Sequence, residues 1–372
     1  MNFEFSTEQK MLGEQARKFL EDHCSSTEVR KILEGADAYH HELWRGMSEL
    51  GWLGTAIPEA YGGLGAGYLE LCVLAEELGR ALAPVPFSSS IYLAAEALLL
   101  AGTQDQKQRW LPRLASGEAI GTFAIAESSG GASLKSVHAS VSDGRLTGLK
   151  LPVPDGDSAD FAIVAALPGD QQPAVLYLAE LEAPGVSRSP IEAIDPTRSQ
   201  AQIVFDGTPA EPLGAEPAGE ALLSQLYDRA AILFAFEQLG GAQRVLEMGR
   251  DYALERYAFG RPIGSFQAIK HTLADMYVSE ELARSNCYYG AWVLSTSAAD
   301  LPQAAATARV SATQAYQHCA KSNIQVHGGM GYTWEFDCHL YYRRSQLLAL
   351  VLGSVERWKD LLVSRLETAS AA

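Results

Sequence analysis

The sequence lacks any apolar run approaching the ~20 residues that a bilayer-spanning helix needs. It also lacks positive charge in excess: 29 Lys and Arg stand against 45 Asp and Glu, a formal charge of −16 at pH 7. A field of that sign repels nucleic acid and anionic membrane alike, so neither is expected as a partner. Cysteine is sparse. Cys24, Cys72, Cys287, Cys319 and Cys338 are scattered, odd in number and free of any Cys-x-x-Cys pair. This excludes a disulfide framework and predicts buried free thiols in a reducing, cytoplasmic compartment. No metal-ligand spacing occurs, and no internal repeat or low-complexity linker divides the chain. The opening stretch, Met1 to Lys10, is polar and acidic and carries no readable leader pattern.

What is present is an ordinary globular composition, 47% apolar and 20% charged over 372 residues. That length exceeds one core and predicts two or three subdomains packed as one compact body. The texture changes twice. Residues 1–118 read as helices: Ser6 and Gln9 form a capping box ahead of Leu12, Ala16, Phe19 and Leu20 at helical spacing. A loop at Pro58–Gly65 precedes a helix carrying Leu69, Cys72, Val73, Ala75 and Leu78, and a helix over 105–112 is expected to stop at Pro112. Residues 119–213 switch to short apolar runs (Gly121–Ala126, Phe161–Ala166, Ala174–Leu178) between Gly, Pro, Ser and Asp clusters, which predicts a small antiparallel β domain. From 214 to 372 the helical period returns. Ala221–Tyr257 contains no proline and predicts one helix of roughly 55 Å at ~1.5 Å per residue. Further helices are expected from Ser265, Leu301 and Tyr342. The fold class is therefore α+β: an N-terminal helical domain, a middle β domain and a C-terminal helical bundle.

Two segments of the last region could carry chemistry. Gln325-Val326-His327-Gly328-Gly329-Met330-Gly331 follows a helix, and its glycines let backbone amides approach a phosphate or ring. By itself it equally describes a helix cap and turn. Arg256-Tyr257-Ala258-Phe259-Gly260-Arg261-Pro262-Ile263, with Gln267 beyond, gathers a guanidinium, an aromatic face and an amide, a set suited to a diphosphate, a ring and a ribose or base edge. By itself it equally describes a helix end with a favourably placed arginine.

Taken together, these segments resemble the acyl-CoA dehydrogenase family. Arg-x-x-Phe-Gly-x-x-Ile-x-x-x-Gln at 256–267 is similar to one of its patterns and Gln325–Gly331 to its Gln-x-x-Gly-Gly-x-Gly. Pro58–Gly65, Lys107–Leu114 with Ser116-Gly117-Glu118, and Trp334–Arg343 fall in the family's order along essentially the whole chain. The resemblance implies FAD as cofactor, an acyl-CoA thioester as substrate, an electron-transfer flavoprotein as acceptor, and a dimer or tetramer of like or unlike chains. It implies that Arg256, Phe259, Gln267, Gln325, Val326, His327, Gly328 and Gly329 hold the adenosine and diphosphate of FAD, reaching into the neighbouring subunit's cofactor. At the ring end, backbone donors from Ala124 to Ala126 are implied. There the family's Thr-Glu-Pro-x-Ala-Gly-Ser-Asp is replaced by Ala126-Glu127-Ser128-Ser129-Gly130-Gly131-Ala132-Ser133. Its Trp-Ile-Thr-Asn is replaced by Pro152-Val153-Pro154-Asp155.

Dehydrogenation next to a thioester needs a carboxylate to take the α-proton. The family's usual position for it falls on Leu352, which cannot act as a base. A second position, on the long helix just before an arginine, is occupied by Asp228, with Arg229 beside it as a substrate contact. Asp228 is therefore the candidate base, against the alternative of a helix-surface carboxylate paired with Arg229 or an i+4 neighbour. Glu237, nine residues on, falls on the opposite face and reads as structural. Cys319 and His327 lack an oriented third partner for nucleophilic catalysis. Two functions stay open: an FAD-dependent acyl-CoA dehydrogenase, or a non-catalytic subunit that lends adenine-side contacts to a companion chain. A flavin oxidase of the same fold is a third.

Overall fold

The computed structural model describes residues 5–35, 37–128, 133–169, 172–215 and 218–371. In chain order it contains helices α1 (Thr7–His23), α2 (Ser26–Leu33), α3 (His41–Glu49) and α4 (Tyr68–Arg80), a π-helical segment (Ser88–Ala95), α5 (Glu96–Ala101) and α6 (Gln104–Ala115). Strands follow: β1 (Gly121–Ala124), β2 (Ser140–Ser142), β3 (Arg145–Pro154), β4 (Phe161–Ala166), β5 (Val175–Glu180), β6 (Val186–Pro190), β7 (Gln200–Pro209) and β8 (Glu211–Pro212). Last come α7 (Glu220–Glu255), a hairpin of β9 (Tyr257–Ala258) and β10 (Arg261–Pro262), α8 (Gln267–Thr296), α9 (Leu301–His327), α10 (Cys338–Leu350) and α11 (Val355–Ala371). The expected order of helices, strands and helices is the order observed.

Local chemistry accounts for most of these bounds. The Ser6–Gln9 capping box forms in both directions and opens α1. Thr103 and Gln106 make a second box for α6. That helix runs one turn past Pro112, where the sequence predicted a stop. Proline lacks an amide donor, but its carbonyl still accepts from the Ser116 amide at 3.0 Å, so the final turn closes. The helix expected from Tyr342 starts four residues earlier, at Cys338. All five cysteines are free and buried, as expected.

The described residues gather into two compact units. The sheet unit comprises Glu28–Gly67 and Pro84–Ala230, and the helical unit the rest. In the sheet unit two four-stranded sheets form, in the orders β1-β4-β5-β8 and β2-β3-β7-β6. Pairing is antiparallel throughout except for β1 on β4, which is parallel, Gly121 opposite Phe161. β4 is buried along its whole length, and Trp110 of α6 lies 4.3 Å from Phe161, ring centre to ring centre. β3 accommodates both Pro152 and Pro154 because its register against β7 shifts between Lys150 and Val153.

In the helical unit α4 crosses α7 backbone to backbone. A Cβ on Gly79 would stand 1.8 Å from the Glu237 carbonyl oxygen, and one on Gly240 1.8 Å from that of Glu76. Only glycine permits that approach. α9 presents Ala304, Ala305, Ala308, Ala312 and Ala315 to the interior. Glu237 is fully buried, 3.5 Å from the equally buried Arg344, which fits the structural role expected of it.

Candidate functional site

In the sheet unit, contacts made by the two chain neighbours of the candidate base tie it to β1 and to the π-helical segment. β1 packs on the π-helical segment, where the Ser90 hydroxyl donates to the Gly121 carbonyl and accepts from its amide, both at 3.2 Å. Short π-helical stretches recur at functional sites. The segment runs directly into Glu96, whose carboxylate binds the Arg229 guanidinium at 2.6 Å. Asp228, one residue earlier on α7, is 3% exposed. Its other neighbour, Tyr227, brings its ring 6.3 Å from that of Phe123, back on β1. Asp228 is thus a buried residue, not a helix-surface carboxylate, and the Arg229 guanidinium is engaged by Glu96.

β1 leads into Ile125 and Ala126. Ala124 and Ala126 are buried, with methyl side chains, so anything they offer a ligand is backbone. The Leu151 amide donates to the Ala126 carbonyl at 2.8 Å, tying this segment to β3. Residues 129–132 of the motif that begins at Ala126 lie outside the described residues.

The helical unit holds the other candidates. After α7 ends, Arg256 is followed by the hairpin, whose two turn residues, Phe259 and Gly260, have φ of 52° and 79°. Positive φ at both positions belongs to the tight turns that match strand twist, and an aromatic residue there is strained. Phe259 is nevertheless 96% exposed, so burial does little to offset the strain. Its ring meets Phe266 edge-on at 6.2 Å, and Arg261 covers Phe266 at 4.1 Å. Gln267 opens α8 immediately afterwards.

α9 delivers the second glycine segment to the same place. His327, at its end, stacks on Tyr252 of α7 at 4.1 Å and meets Phe336 edge-on at 5.6 Å. Tyr252 lies one turn before Arg256, whose amide donates to the Tyr252 carbonyl at 2.8 Å. His327 Nδ1 lies 2.9 Å from the Asn323 carbonyl, so that nitrogen carries the proton. Burial, only partly opposed by that hydrogen bond, holds the imidazole pKa below its usual value. Val326 and His327 face inward, whereas Arg256, Gln267, Gln325, Gly328 and Gly329 are exposed. Gly328 has φ 60° and ψ −138°, and no atom lies within 4 Å of a Cβ built on Gly328 or Gly329. The set is an exposed guanidinium, an exposed ring, two amides and bare backbone, which fits an anionic ligand that also has a ring.

Leu352 is buried with φ 62°, its carbonyl accepting the Trp358 indole N–H at 3.1 Å. Arg309 donates to the Val351 carbonyl at 2.6 Å and to that of Leu348. The turn at 351–353 is therefore firmly built around an apolar side chain. Neither Glu96 nor the pairing of buried Lys150 with Glu127 is evident from a motif. For Glu96 a signal existed: it is the only charge in the apolar stretch Ile91–Leu100, and a lone charge there needs a partner. Among the described residues no cluster of His, Cys, Asp and Glu could hold a metal ion, and no helix is long and apolar enough to cross a membrane.

Comparison with known proteins follows the same pattern. Residues 6–118 match the family description "Acyl-CoA dehydrogenase, N-terminal domain", and residues 219–366 match "Acyl-CoA dehydrogenase, C-terminal domain". Acyl-CoA dehydrogenase IpdE2 of Mycobacterium tuberculosis is 35% identical over 348 residues, 93% of each chain. Among solved structures, butyryl-CoA dehydrogenase from Megasphaera elsdenii superposes with a TM-score of 0.90 at 25% identity, covering 98% of this chain and 100% of that one. The ChsE4-ChsE5 complex from Mycobacterium tuberculosis gives 0.89 at 28% identity, over 99% of both.

Proposed function

The chain belongs to the acyl-CoA dehydrogenase family of flavoprotein oxidoreductases, and from that premise we propose that it oxidises the α,β-bond of an acyl-CoA thioester with FAD. When bound, the flavin supplies the acceptor for the β-hydride. Asp228 takes the α-proton, so one proton and one hydride leave the substrate and a 2-enoyl thioester remains. Arg229 is held in place by Glu96 and contributes the adjoining positive charge to substrate binding. The flavin ring rests on backbone from Ala124 to Ala126. Arg256, Phe259, Gln267 and Gln325–Gly329 serve the adenosine and diphosphate of a neighbouring chain's FAD, which makes the active form a dimer or tetramer. Electrons then pass to an electron-transfer flavoprotein.

The observation that carries this reading is the burial of Asp228 beside the Arg229–Glu96 pair and β1. A second reading is favoured by Leu352 at the family's usual base position, by Pro152 and Pro154 where an aromatic and a hydroxyl are usual, and by likeness to the ChsE4-ChsE5 complex. In it, the chain lends its adenine-side residues to a companion subunit. Purification of the chain alone, with visible spectra before and after anaerobic addition of saturated acyl-CoA thioesters, tests both. A yellow protein whose flavin band bleaches supports the enzyme. A colourless chain that turns yellow only with a co-expressed homologue supports the companion role, and one that stays colourless in every assembly sinks both.

A further inference from the structure

Lys150 is the most completely buried lysine expected from no motif: it sits mid-strand in β3 with its side chain 0% exposed. A cation withdrawn from water costs several kcal/mol unless it is paired and hydrogen-bonded. The pairing of β3 with β7, Lys150 opposite Ile203, requires no charge at this position, and an apolar side chain would satisfy the strand equally well. What the lysine holds is the segment just after β1. Nζ donates to the Ile125 carbonyl at 3.2 Å and to Glu127 Oε1 at 2.7 Å. The next amide along β3, that of Leu151, takes the Ala126 carbonyl at 2.8 Å. Residues 125, 126 and 127 are therefore each fixed by the Lys150–Leu151 dipeptide.

Glu127 extends the arrangement. Its Oε1 also accepts the Ala139 amide at 2.9 Å, and its Oε2 accepts the His138 amide at 2.7 Å. His138 Nδ1 lies 3.1 Å from Oε2, on a side chain 87% exposed. One carboxylate thus ties the residue after β1 to His138 and Ala139 just before β2, and the buried ammonium pairs with it.

We propose that Lys150 and Glu127 are positioning residues: together they clamp Ile125–Glu127 to His138–Ala139 and hold the Ile125–Ala126 backbone in the orientation that receives the flavin ring. The flavin part of this inference rests on the reading of the preceding subsection; the clamp itself rests on the contacts above. Because Lys150 touches the residue between Ala124 and Ala126, the pair also sets the local field there. Reduction adds negative charge to a flavin, so the ammonium favours the reduced form and the carboxylate opposes it.

Three variants test this in the assembled protein: Lys150→Met, Glu127→Gln, and the two combined, which replaces the ion pair by a neutral one of similar shape. The readouts are amide hydrogen exchange over 125–139, flavin retention and the reduction potential of bound flavin. Lys150→Met removes the hydrogen bonds that hold Ile125 and Glu127, so it is expected to speed exchange at residues 138–139 and to weaken flavin retention indirectly, by up to about tenfold. Its potential moves negative, that of Glu127→Gln moves positive, and the double variant, in which neither charge is left without the other, lies between. Wild-type exchange in all three overturns the clamp. Potentials that stay put, or move the same way in both single variants, overturn the positioning role toward flavin. A wild-type protein that takes up no flavin in any assembly instead removes the reading beneath it, and the exchange result alone then decides the clamp.

Discussion

Replacing Phe259 by Asn separates the cost that residue imposes on the fold from what it gives to a ligand. Phe259 stands at the tip of the β9–β10 hairpin with φ 52°, followed by Gly260 at 79°. Left-handed backbone costs an ordinary residue about 1 kcal/mol, whereas Asn-Gly is the preferred pair for such a turn. Against that gain stands the edge contact with Phe266 at 6.2 Å, about 0.5 kcal/mol at an exposed site. At 96% exposure there is almost no burial to lose. The contact offsets about half of the gain, leaving a net stabilisation of about 0.5 kcal/mol, somewhat under a degree in Tm for a chain this long. Flavin retention behaves oppositely. An aromatic lost from a base contact removes about 1–3 kcal/mol, roughly five- to a hundredfold in affinity. Thermal unfolding of the flavin-free protein and fluorescence titration with FAD measure the two separately. A variant that unfolds several degrees lower while binding FAD as tightly as wild type would make Phe259 a structural residue and remove its role at the cofactor.

Glu96→Gln leaves the Arg229 guanidinium in a largely buried place without its anion, and urea unfolding should show a loss of about 3 kcal/mol. The Glu96→Gln/Arg229→Met double variant should recover most of it, and strict additivity of the two singles would count against the pair. Arg256→Ala should weaken FAD retention by about ten- to a hundredfold after gel filtration, the worth of charge-assisted hydrogen bonds of about 1.5–3 kcal/mol. His327 has a folded pKa depressed by burial, so the unfolded chain binds its proton more readily. Its contribution to stability is complete above the unfolded value of about 6.5 and is lost as pH falls from there through the folded pKa. Tm measured from pH 7 to pH 5 should fall less steeply in His327→Gln, and parallel slopes would contradict the assignment.

How far the sequence announced this molecule differs from element to element. The Ser6–Gln9 box and the run Phe161–Ala166 were legible because capping and strand burial are local. The helix from Glu220 to Glu255 was legible because thirty-six residues pass without a proline. Pro112 misled because a proline in the last turn forfeits only one hydrogen bond. The β9–β10 hairpin was hidden because Phe-Gly is not the usual turn pair, so 256–263 read as a helix end. The parallel pairing of β1 with β4 depends on residues forty positions apart. At the candidate site, the glycines and Arg256 announce themselves by type. Glu96 and Lys150 do not, because a buried charge acquires its meaning from a partner 133 residues away in one case and 23 in the other.

Asp228 is proposed to remove the α-proton from an acyl-CoA thioester. The direct measurement is rapid-mixing reduction of bound flavin by substrate in wild type and Asp228→Asn, alongside equilibrium binding of the same acyl-CoA. An amide has nearly the shape of the carboxylate but cannot accept the α-proton. Asp228→Asn is expected to keep its fold, its flavin and its affinity for acyl-CoA while flavin reduction falls by at least about a hundredfold. Reduction at the wild-type rate in that variant, within the same assembly, would contradict that role and assign the chemistry to another group or to a companion chain.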